Sequence, residues 1–464
     1  MARESLVGLP YSNKGNTGRR QCFLAFFTFV LIGYMPVHSQ ERDNAMSPDL
    51  VAAAQAFVDL LAQRDFVTAE RSLDDTMHTA FPQEKLQETW NTILAQAGAF
   101  KHQVRTRTEA RSGSSVVIVT CAFEKAALDI QIAFDHVRRI AGLVFTSAQT
   151  TAEYAPPRYV QPNAFREHEV MIGTGEWGLP GTLTVPMEPS VCPAVVLVHG
   201  SGPHDRDETI GPNKPFRDLA WGLASQGIAV LRYEKRTKQH AAKLGAIGLQ
   251  LTVKEETIDD VLAAVTLLRQ TAGIEATRIF VLGHSLGGML IPRIGTRESH
   301  IAGFIVFAGA TRSLEDMILE QATYLVVLEG IISQEKQAQL DELTKQVAHV
   351  KSLGPSDANS SRRLLGAPVS YWLDLRGYDP PEAAKALKQP VLILQGERDY
   401  QVTMDDFQRW QAALSSQQNV TFRSYATLNH LFMEGNGKSG PAEYNRPGHV
   451  AEVVIYDIVH WIKQ

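Results

Sequence analysis

A serine flanked by glycines is the first residue in this chain whose setting suggests chemistry. The motif is Gly283-His-Ser-Leu-Gly-Gly288, which directly follows the apolar run Ile279–Leu282 and precedes a second apolar run that starts at Met289. A strand, a tight turn and a helix in this order would hold Ser285 in a strained backbone beside a helix N-terminus, where developing negative charge is favoured. The motif therefore predicts a nucleophilic serine, and a glycine-rich helix start without chemistry is the alternative.

A serine hydroxyl is a weak nucleophile and needs a base, which in turn needs an orienting carboxylate. The motif resembles the nucleophile turn of the α/β-hydrolase fold, and this resemblance implies the order serine, acid, histidine along the chain. Asp399 follows the late apolar run Val391–Gln395, which makes it the predicted acid. Glu397 is the alternative acid because it lies closer to the end of that run.

The base should follow the last strand of such a fold. His430 comes shortly after the run Val420–Tyr425 and is the predicted base. His449 and His460 lie further on, beside or within the closing helical pattern, and are predicted to be structural or surface residues.

An oxyanion hole requires two backbone N–H groups directed at one point. One donor is expected from Leu286, the residue after the nucleophile. The other is expected from the loop His199–Asp205, which follows the apolar run Ala194–Val198 and contains two glycines. We assign this second donor to Ser201, with the neighbouring Gly202 as the alternative.

Four charged residues crowd the chain beside this turn, namely Asp205, Arg206, Asp207 and Glu208. A hydrogen-bonded network that shapes the loop is predicted for them. A metal site is the less favoured alternative, and no metal or other cofactor is predicted for the chain.

Short apolar runs alternate with helical patterns from Glu167 to Gln464. The predicted strands are Ala194–Val198, Ile228–Tyr233, Arg278–Leu282, Ile301–Phe307, Val391–Gln395 and Val420–Tyr425, and the predicted helices are Phe216–Ser225, Thr257–Leu268 and His449–Ile462. Strands that are apolar throughout and are followed by helices predict an α/β fold with a doubly wound, mainly parallel sheet. The segment Glu167–Thr184 alternates and contains glycines, which predicts an antiparallel hairpin at the sheet edge.

The segment 311–387 interrupts this alternation with helical patterns and without a convincing strand. It is too long for a simple connection and is predicted to be an inserted helical cap. Tyr371 and Trp372 within it are candidates either for lining a substrate pocket or for packing the cap against the core.

Taken together, these motifs resemble those of the α/β-hydrolase superfamily over about residues 167–464. The segments His199–Glu208, Gly211–Phe216 and Arg232–Thr237 are similar to an esterase branch related to dienelactone-hydrolase-like and acyl-CoA-thioesterase-like members. This resemblance implies hydrolysis of carboxylic esters or related acyl compounds without a metal. Dienelactone hydrolases proper differ because their nucleophile is a cysteine.

Residues 48–149 form a separate pattern of helices followed by strands. The helical stretches are Val51–Leu61 and Leu86–Ala97, and the strands are Val116–Phe123 and Leu128–Phe134. This order predicts a small α+β domain, which resembles cystatin-like or nuclear-transport-factor-like domains and has no evident catalytic group. The proline-containing segment 150–166 is predicted to be a linker.

The first 39 residues have the pattern of an export signal. Arg19 and Arg20 precede the apolar run Cys22–Tyr34, and Val37-His-Ser39 offers a cleavage site. As a helix this run would span roughly 20 Å, less than the bilayer core of about 30 Å. We therefore expect an exported protein, periplasmic or secreted, without a membrane span after cleavage, and an uncleaved N-terminal anchor is the alternative.

Charge and cysteine content bear on nucleic-acid binding and on disulfide formation. The formal net charge is −5 and no basic stripe is present, so nucleic-acid binding is not expected. Cys121 and Cys192 fall in different predicted domains, and two buried free thiols are favoured over a bridge.

The sequence thus predicts a serine hydrolase whose partner is a small-molecule ester. A peptidase or amidase, a thioesterase and an acyltransferase use the same groups and stay open. A binding protein on a hydrolase scaffold is a remote alternative, since no predicted catalytic member is missing. A further alternative is that the N-terminal domain serves assembly or surface attachment. The oligomeric state is left open.

Overall fold

The computed structural model describes residues 48–464 apart from 112–113, 125, 149–153, 189, 242, 245–250, 329, 331 and 361. The predicted export signal and the start of the predicted linker lie outside the described residues. The chain divides into two compact units, Met1–Ala148 and Gln149–Gln464.

The first unit is a small α+β domain with a four-stranded antiparallel sheet in the order β1-β2-β3-β4, which confirms the predicted class. Its elements are α1 Pro48–Gln63, α2 Phe66–Glu70, α3 Asp75–Ala80, α4 Gln83–Ala97, β1 Phe100–Arg111, β2 Ser114–Phe123, β3 Ala127–Phe134 and β4 Ile140–Ser147. The outer strands β1 and β4 were not predicted individually. Polar residues dominate β1, an edge strand whose Val104 is 55% exposed, so it lacks the apolar alternation of a half-buried strand.

The second unit contains an eight-stranded sheet in the order β14-β13-β10-β9-β7-β8-β6-β5. Its strands are β5 Phe165–Ile172, β6 Leu179–Pro186, β7 Cys192–Val198, β8 Ala229–Tyr233, β9 Ile274–His284, β10 Gly303–Phe307, β13 Val391–Gly396 and β14 Val420–Tyr425. The six strands from β7 onward pair in parallel, whereas β5 and β6 form an antiparallel hairpin at the edge. The mainly parallel sheet and the edge hairpin are both confirmed.

Helices cover this sheet on both faces. They are α5 Pro215–Ala224, α6 Arg236–Gln239, α7 Asp259–Arg269, α8 Leu286–Gly295, α13 Met404–Leu414 and α14 Glu452–Lys463. Along β7, Val196 and Val198 pack into one core cluster, while Val195 and Leu197 pack into the cluster on the opposite face. Because successive side chains of a strand point to opposite faces, a strand covered on both sides must be apolar at every position.

Between β10 and β13 the chain forms mostly helices, which is where the sequence predicts a cap. These are α9 Leu314–Leu328, α10 Gln334–Ser352, α11 Val369–Leu375 and α12 Pro380–Ala384. A short hairpin, β11 Arg363–Leu364 and β12 Ala367–Pro368, was not anticipated. Its two-residue turn places Leu365 and Gly366 at positive φ, as a tight hairpin turn requires.

Among the residues that the structure describes, none of the helices combines the length and the hydrophobicity that a membrane span requires. Cys121 on β2 and Cys192 on β7 are both buried and free, which confirms the prediction of two free thiols.

Candidate active site

Ser285 lies on the turn between β9 and α8 with φ 54° and ψ −114°. A positive φ is uncommon for a residue with a side chain and persists only when its surroundings hold it in place. The Ser285 N–H donates to the Phe307 carbonyl of the adjacent strand at 2.9 Å, and the Ser285 carbonyl accepts from the Met289 N–H at 2.9 Å. The turn is thus fixed from the sheet on one side and from the helix on the other.

The glycines around Ser285 are required by close backbone packing. A Cβ atom at Gly283 would lie 2.3 Å from the Gly287 carbonyl oxygen, and one at Gly287 would lie 2.5 Å from the carbonyl oxygen of Val198 on β7. Both distances are shorter than any tolerated contact, so a side chain at either position would force apart the elements that present the serine.

Asp399 and His430, the predicted acid and base, are hydrogen-bonded to each other. His430 Nδ1 and Asp399 Oδ2 are 2.6 Å apart, and the two side chains are 5% and 0% exposed. The other carboxylate oxygen of Asp399 accepts from the backbone N–H groups of Gln401 and Val402 at 2.8 and 3.0 Å. The carboxylate is therefore held by the loop after β13 and fixes the His430 ring, which follows β14.

The alternative acid and the other histidines have different partners. Glu397 is exposed and accepts a hydrogen bond from the Ser424 hydroxyl at 2.8 Å. His449 pairs through Nδ1 with Asp218 at 3.0 Å, and His460 is exposed on α14.

The predicted oxyanion loop lies directly against the serine. A Cβ atom at Gly200 would be 3.1 Å from the Cβ of Ser285. The Gly200 N–H donates to Glu208 Oε1 at 2.7 Å, and the Gly200 carbonyl accepts from Lys235 Nζ at 2.7 Å. Ser201 follows this clamped glycine, and Leu286 is the first residue of α8.

A second buried carboxylate–histidine pair adjoins the first. His284 Nδ1 lies 2.7 Å from Glu208 Oε2, and His284 Nε2 lies 3.0 Å from the His430 carbonyl oxygen. Both neighbours are acceptors, so the ring satisfies both contacts only as an imidazolium that donates from each nitrogen.

The electrostatics agree with this protonation state. Burial by itself lowers the pKa of His284, but the charge and hydrogen bond of Glu208 outweigh that effect and raise it. Burial likewise raises the pKa of Glu208, yet the neighbouring His284 lowers it overall. This pair was not predicted from the sequence, although His284 lies inside the Gly283–Gly288 motif.

The charged loop residues form the predicted network. Arg206 pairs with Glu169 at 2.7 Å and with Glu234 at 3.0 Å. Asp207 pairs with Lys214 at 3.1 Å and with Arg217 at 2.7 Å, and it also contacts the buried Arg232. The network hypothesis is confirmed, and in the described part of the chain no group of three or more His, Cys, Asp or Glu residues is arranged to hold a metal ion.

Tyr371 and Trp372 are both buried on α11. The Tyr371 hydroxyl donates to Glu256 Oε2 at 2.7 Å, and its ring packs into the main core cluster. Trp372 is 3% exposed, packs against Val350 and Leu353, and donates from its indole N–H to the Leu364 carbonyl at 2.8 Å. Both side chains thus have partners within the protein.

The doubly wound sheet, with Ser285 on the turn after β9 and the Asp399–His430 pair after β13 and β14, defines an α/β-hydrolase. A family model described as serine aminopeptidase, S33, matches residues 189–436, and the chain belongs to this family of serine hydrolases. Residues 54–143 match a family described as a protein of unknown function, DUF3887.

Known proteins are similar to the chain either in sequence or in structure. It is 38% identical over 406 residues to Esterase EstD of Thermotoga maritima, with 88% of this chain and 93% of that protein covered. Among solved structures, Est1E from Butyrivibrio proteoclasticus aligns at 16% identity and a TM-score of 0.40, covering 64% of this chain and 96% of that one. The acylaminoacyl peptidase of Pyrococcus horikoshii aligns at 13% identity and a TM-score of 0.43, covering 78% and 56% of the two chains.

Proposed function

We propose that this enzyme hydrolyses small carboxylic esters through an acyl-enzyme intermediate, with Ser285 as nucleophile, His430 as general base and Asp399 as the orienting carboxylate. The observation that carries the proposal is the buried 2.6 Å contact between His430 Nδ1 and Asp399 Oδ2. Because the carboxylate accepts a hydrogen bond from the Nδ1–H group, the Nε2 atom of a neutral His430 is left with a lone pair for the serine proton.

The proposed reaction has two steps, acylation of Ser285 and hydrolysis of the acyl-enzyme. His430 Nε2 takes the proton of Ser285 Oγ as that oxygen bonds to the ester carbonyl carbon, and the carbonyl oxygen becomes an oxyanion that the N–H groups of Ser201 and Leu286 stabilise. Collapse breaks the bond to the alcohol oxygen, which receives the proton from His430. A water molecule then repeats the sequence on the acyl-Ser285 ester, releases the carboxylic acid and restores the serine.

An ester is the favoured substrate because the relative that covers most of the chain is named an esterase. A peptidase is the second candidate, because the matching family is described as a serine aminopeptidase and the same groups can cleave amides. A panel of p-nitrophenyl esters and aminoacyl anilides of graded size separates the two. Higher kcat/KM for the anilides than for every ester would contradict the ester proposal.

Cap contacts are proposed to limit which acyl groups reach Ser285. The cap segment leaves the sheet after β10, which lies beside β9, and returns before β13, which lies beside β10, at the ends where parallel sheets bind ligands. The burial of Trp372 among other cap residues favours the interpretation in which this ring stabilises the cap rather than contacts substrate. Tyr371 has a polar partner, Glu256, and is taken up below.

Export is proposed from the N-terminal sequence pattern. The mature enzyme should start near Gln40, after removal of residues 1–39. N-terminal sequencing of the protein recovered from the periplasmic or culture fraction tests this. An intact N-terminus in a membrane fraction would support the uncleaved anchor instead.

A further inference from the structure

Lys235 is a buried cation close to the proposed active site that the reaction itself does not use. Its side chain is 3% exposed, and its Nζ atom lies 2.7 Å from the Gly200 carbonyl oxygen and 3.2 Å from Glu256 Oε1. Removing a lysine ammonium from water is costly unless its hydrogen bonds are replaced. This ammonium has replaced them with one carboxylate and one carbonyl of the loop beside Ser285.

The hydrogen bond from Lys235 to the Gly200 carbonyl also fixes the orientation of the peptide plane between Gly200 and Ser201. In a planar trans peptide, the carbonyl of one residue and the N–H of the next point to opposite sides. The Gly200 carbonyl and the Ser201 N–H belong to one such plane. By holding the oxygen at one side, Lys235 therefore directs the Ser201 N–H, the assigned oxyanion donor, to the other side.

Glu208 secures the preceding peptide of the same loop. Its Oε1 atom accepts the Gly200 N–H at 2.7 Å, so Gly200 is held at both its N–H and its carbonyl by buried charged groups. The alternative donor, Gly202, has a different support, because the Ser201 carbonyl that shares its peptide plane lies 2.6 Å from His204 Nε2. The two candidate donors can thus be distinguished, because Lys235 holds the peptide of Ser201 and His204 holds the peptide of Gly202.

Lys235 also leads to the cap. Glu256 lies in a single π-helical turn, Lys254–Ile258, just before α7, and such turns are frequent at functional sites. Its second oxygen accepts the Tyr371 hydroxyl of α11 at 2.7 Å. Two hydrogen bonds and the ion pair between Lys235 and Glu256 therefore connect Tyr371 of the cap to Gly200 through buried groups.

We propose that Lys235 is a positioning residue that orients the oxyanion donor Ser201, and that Glu256 and Tyr371 link this donor to the cap. The proposal rests on the proposed serine mechanism, since it assigns a role within its oxyanion hole. Such donors stabilise the transition state because they are oriented before charge develops and need no rearrangement during the reaction. A lysine anchored by Glu256 supplies that orientation.

The main test is Lys235→Met in the full chain, which keeps an apolar stem of similar length and removes the ammonium. Loss of one oxyanion donor lowers kcat by about 10²- to 10³-fold, so misdirecting it should lower kcat by about 10- to 100-fold with little change in KM. Affinity for a trifluoromethyl ketone, whose adduct with serine has an oxyanion, should fall by a similar factor. Binding of the substrate ground state should not.

Arg236→Met is the matched control. The Arg236 side chain is 15% exposed and pairs with the buried Asp260, with Arg236 Nε 3.1 Å from Asp260 Oδ2, but its ion pair does not contact the Gly200 loop. This variant should lose stability, as Lys235→Met does, and retain kcat. If both variants lower kcat and ketone affinity equally, Lys235 acts only through stability and the proposal is overturned.

Two further variants keep the test decisive if Lys235→Met does not fold. Tyr371→Phe removes only a hydroxyl and should lower kcat about two- to tenfold through the weakened link. His204→Phe removes the hydrogen bond that holds the peptide of Gly202. A larger loss of kcat in His204→Phe than in Tyr371→Phe would overturn the assignment of the donor to Ser201. The serine mechanism is tested separately, because only its failure leaves Ser285→Ala active.

Discussion

Replacing Glu208 with glutamine would leave His284 buried beside a neutral amide instead of a carboxylate. The two side chains are 1% and 4% exposed, and their hydrogen bond of 2.7 Å is well shielded from solvent. Breaking a buried ion pair by removing one partner costs about 3–5 kcal/mol, because the remaining charge is uncompensated. Glu208→Gln should therefore lower the free energy of unfolding by about this amount near pH 6.

The pH dependence of this loss follows from the shifts in pKa. The pKa of His284 is raised from its ordinary value of 6.5, so its contribution to stability is fully present below pH 6.5 and is lost as pH rises through the raised value. The pKa of Glu208 is lowered from 4.5, so its contribution is present above pH 4.5 and is lost as pH falls through the lowered value. The difference in free energy of unfolding between the wild type and Glu208→Gln should be largest between pH 4.5 and pH 6.5, and it should shrink in alkali.

Urea unfolding of the wild type and of Glu208→Gln, measured from pH 5 to pH 10, gives the comparison. The control is Glu397→Gln, which removes an exposed carboxylate bonded to the Ser424 hydroxyl and should change stability by about 0.5 kcal/mol or less. A stability difference for Glu208→Gln that stays constant, or grows, as pH rises would refute the view that the pair is ionic.

Three further predictions concern the proposed chemistry. Ser285→Ala should lower kcat by about 10⁴-fold or more with unchanged unfolding, and a fluorophosphonate should label Ser285 in the wild type and no residue in the variant. His430→Gln should remove activity, whereas His449→Gln, which loses the contact with Asp218, should keep it, and esterase rates that fall with His449 alone would reverse the assignment. Trp372→Ala should cost about 3–5 kcal/mol of stability and lower kcat/KM equally for short and medium acyl esters, and a change confined to one chain length would instead indicate a substrate contact.

The turn that carries Ser285 and the Asp399–His430 pair could be located from the sequence because the strands that precede them are parallel. In a parallel sheet, a residue just after an apolar run lies at the same edge of the sheet as the residues after the neighbouring runs. The main sheet was predictable for a related reason, since strands such as β7 are apolar at every position.

The buried charged residues around the candidate active site were not predictable in the same way. Glu208 and His284 are 76 residues apart, and no periodic pattern relates them. Lys235 lies in a basic segment that suggests a solvated surface, and only the fold shows that its ammonium is buried against Gly200. Charged groups inside a protein are specified by three-dimensional partners, which local sequence does not record.

Each compact unit contains one buried cysteine whose alkylation can report the unfolding of that unit. Cys121 lies in the first unit and Cys192 in the second, and burial raises the pKa of both thiols, that of Cys121 to about 12. Because the thiolate is the nucleophile that attacks an alkylating reagent, neither buried group reacts while its strand stays in place. In a Cys22→Ser background, the order in which the two thiols become alkylated in rising denaturant is the order in which the two units unfold.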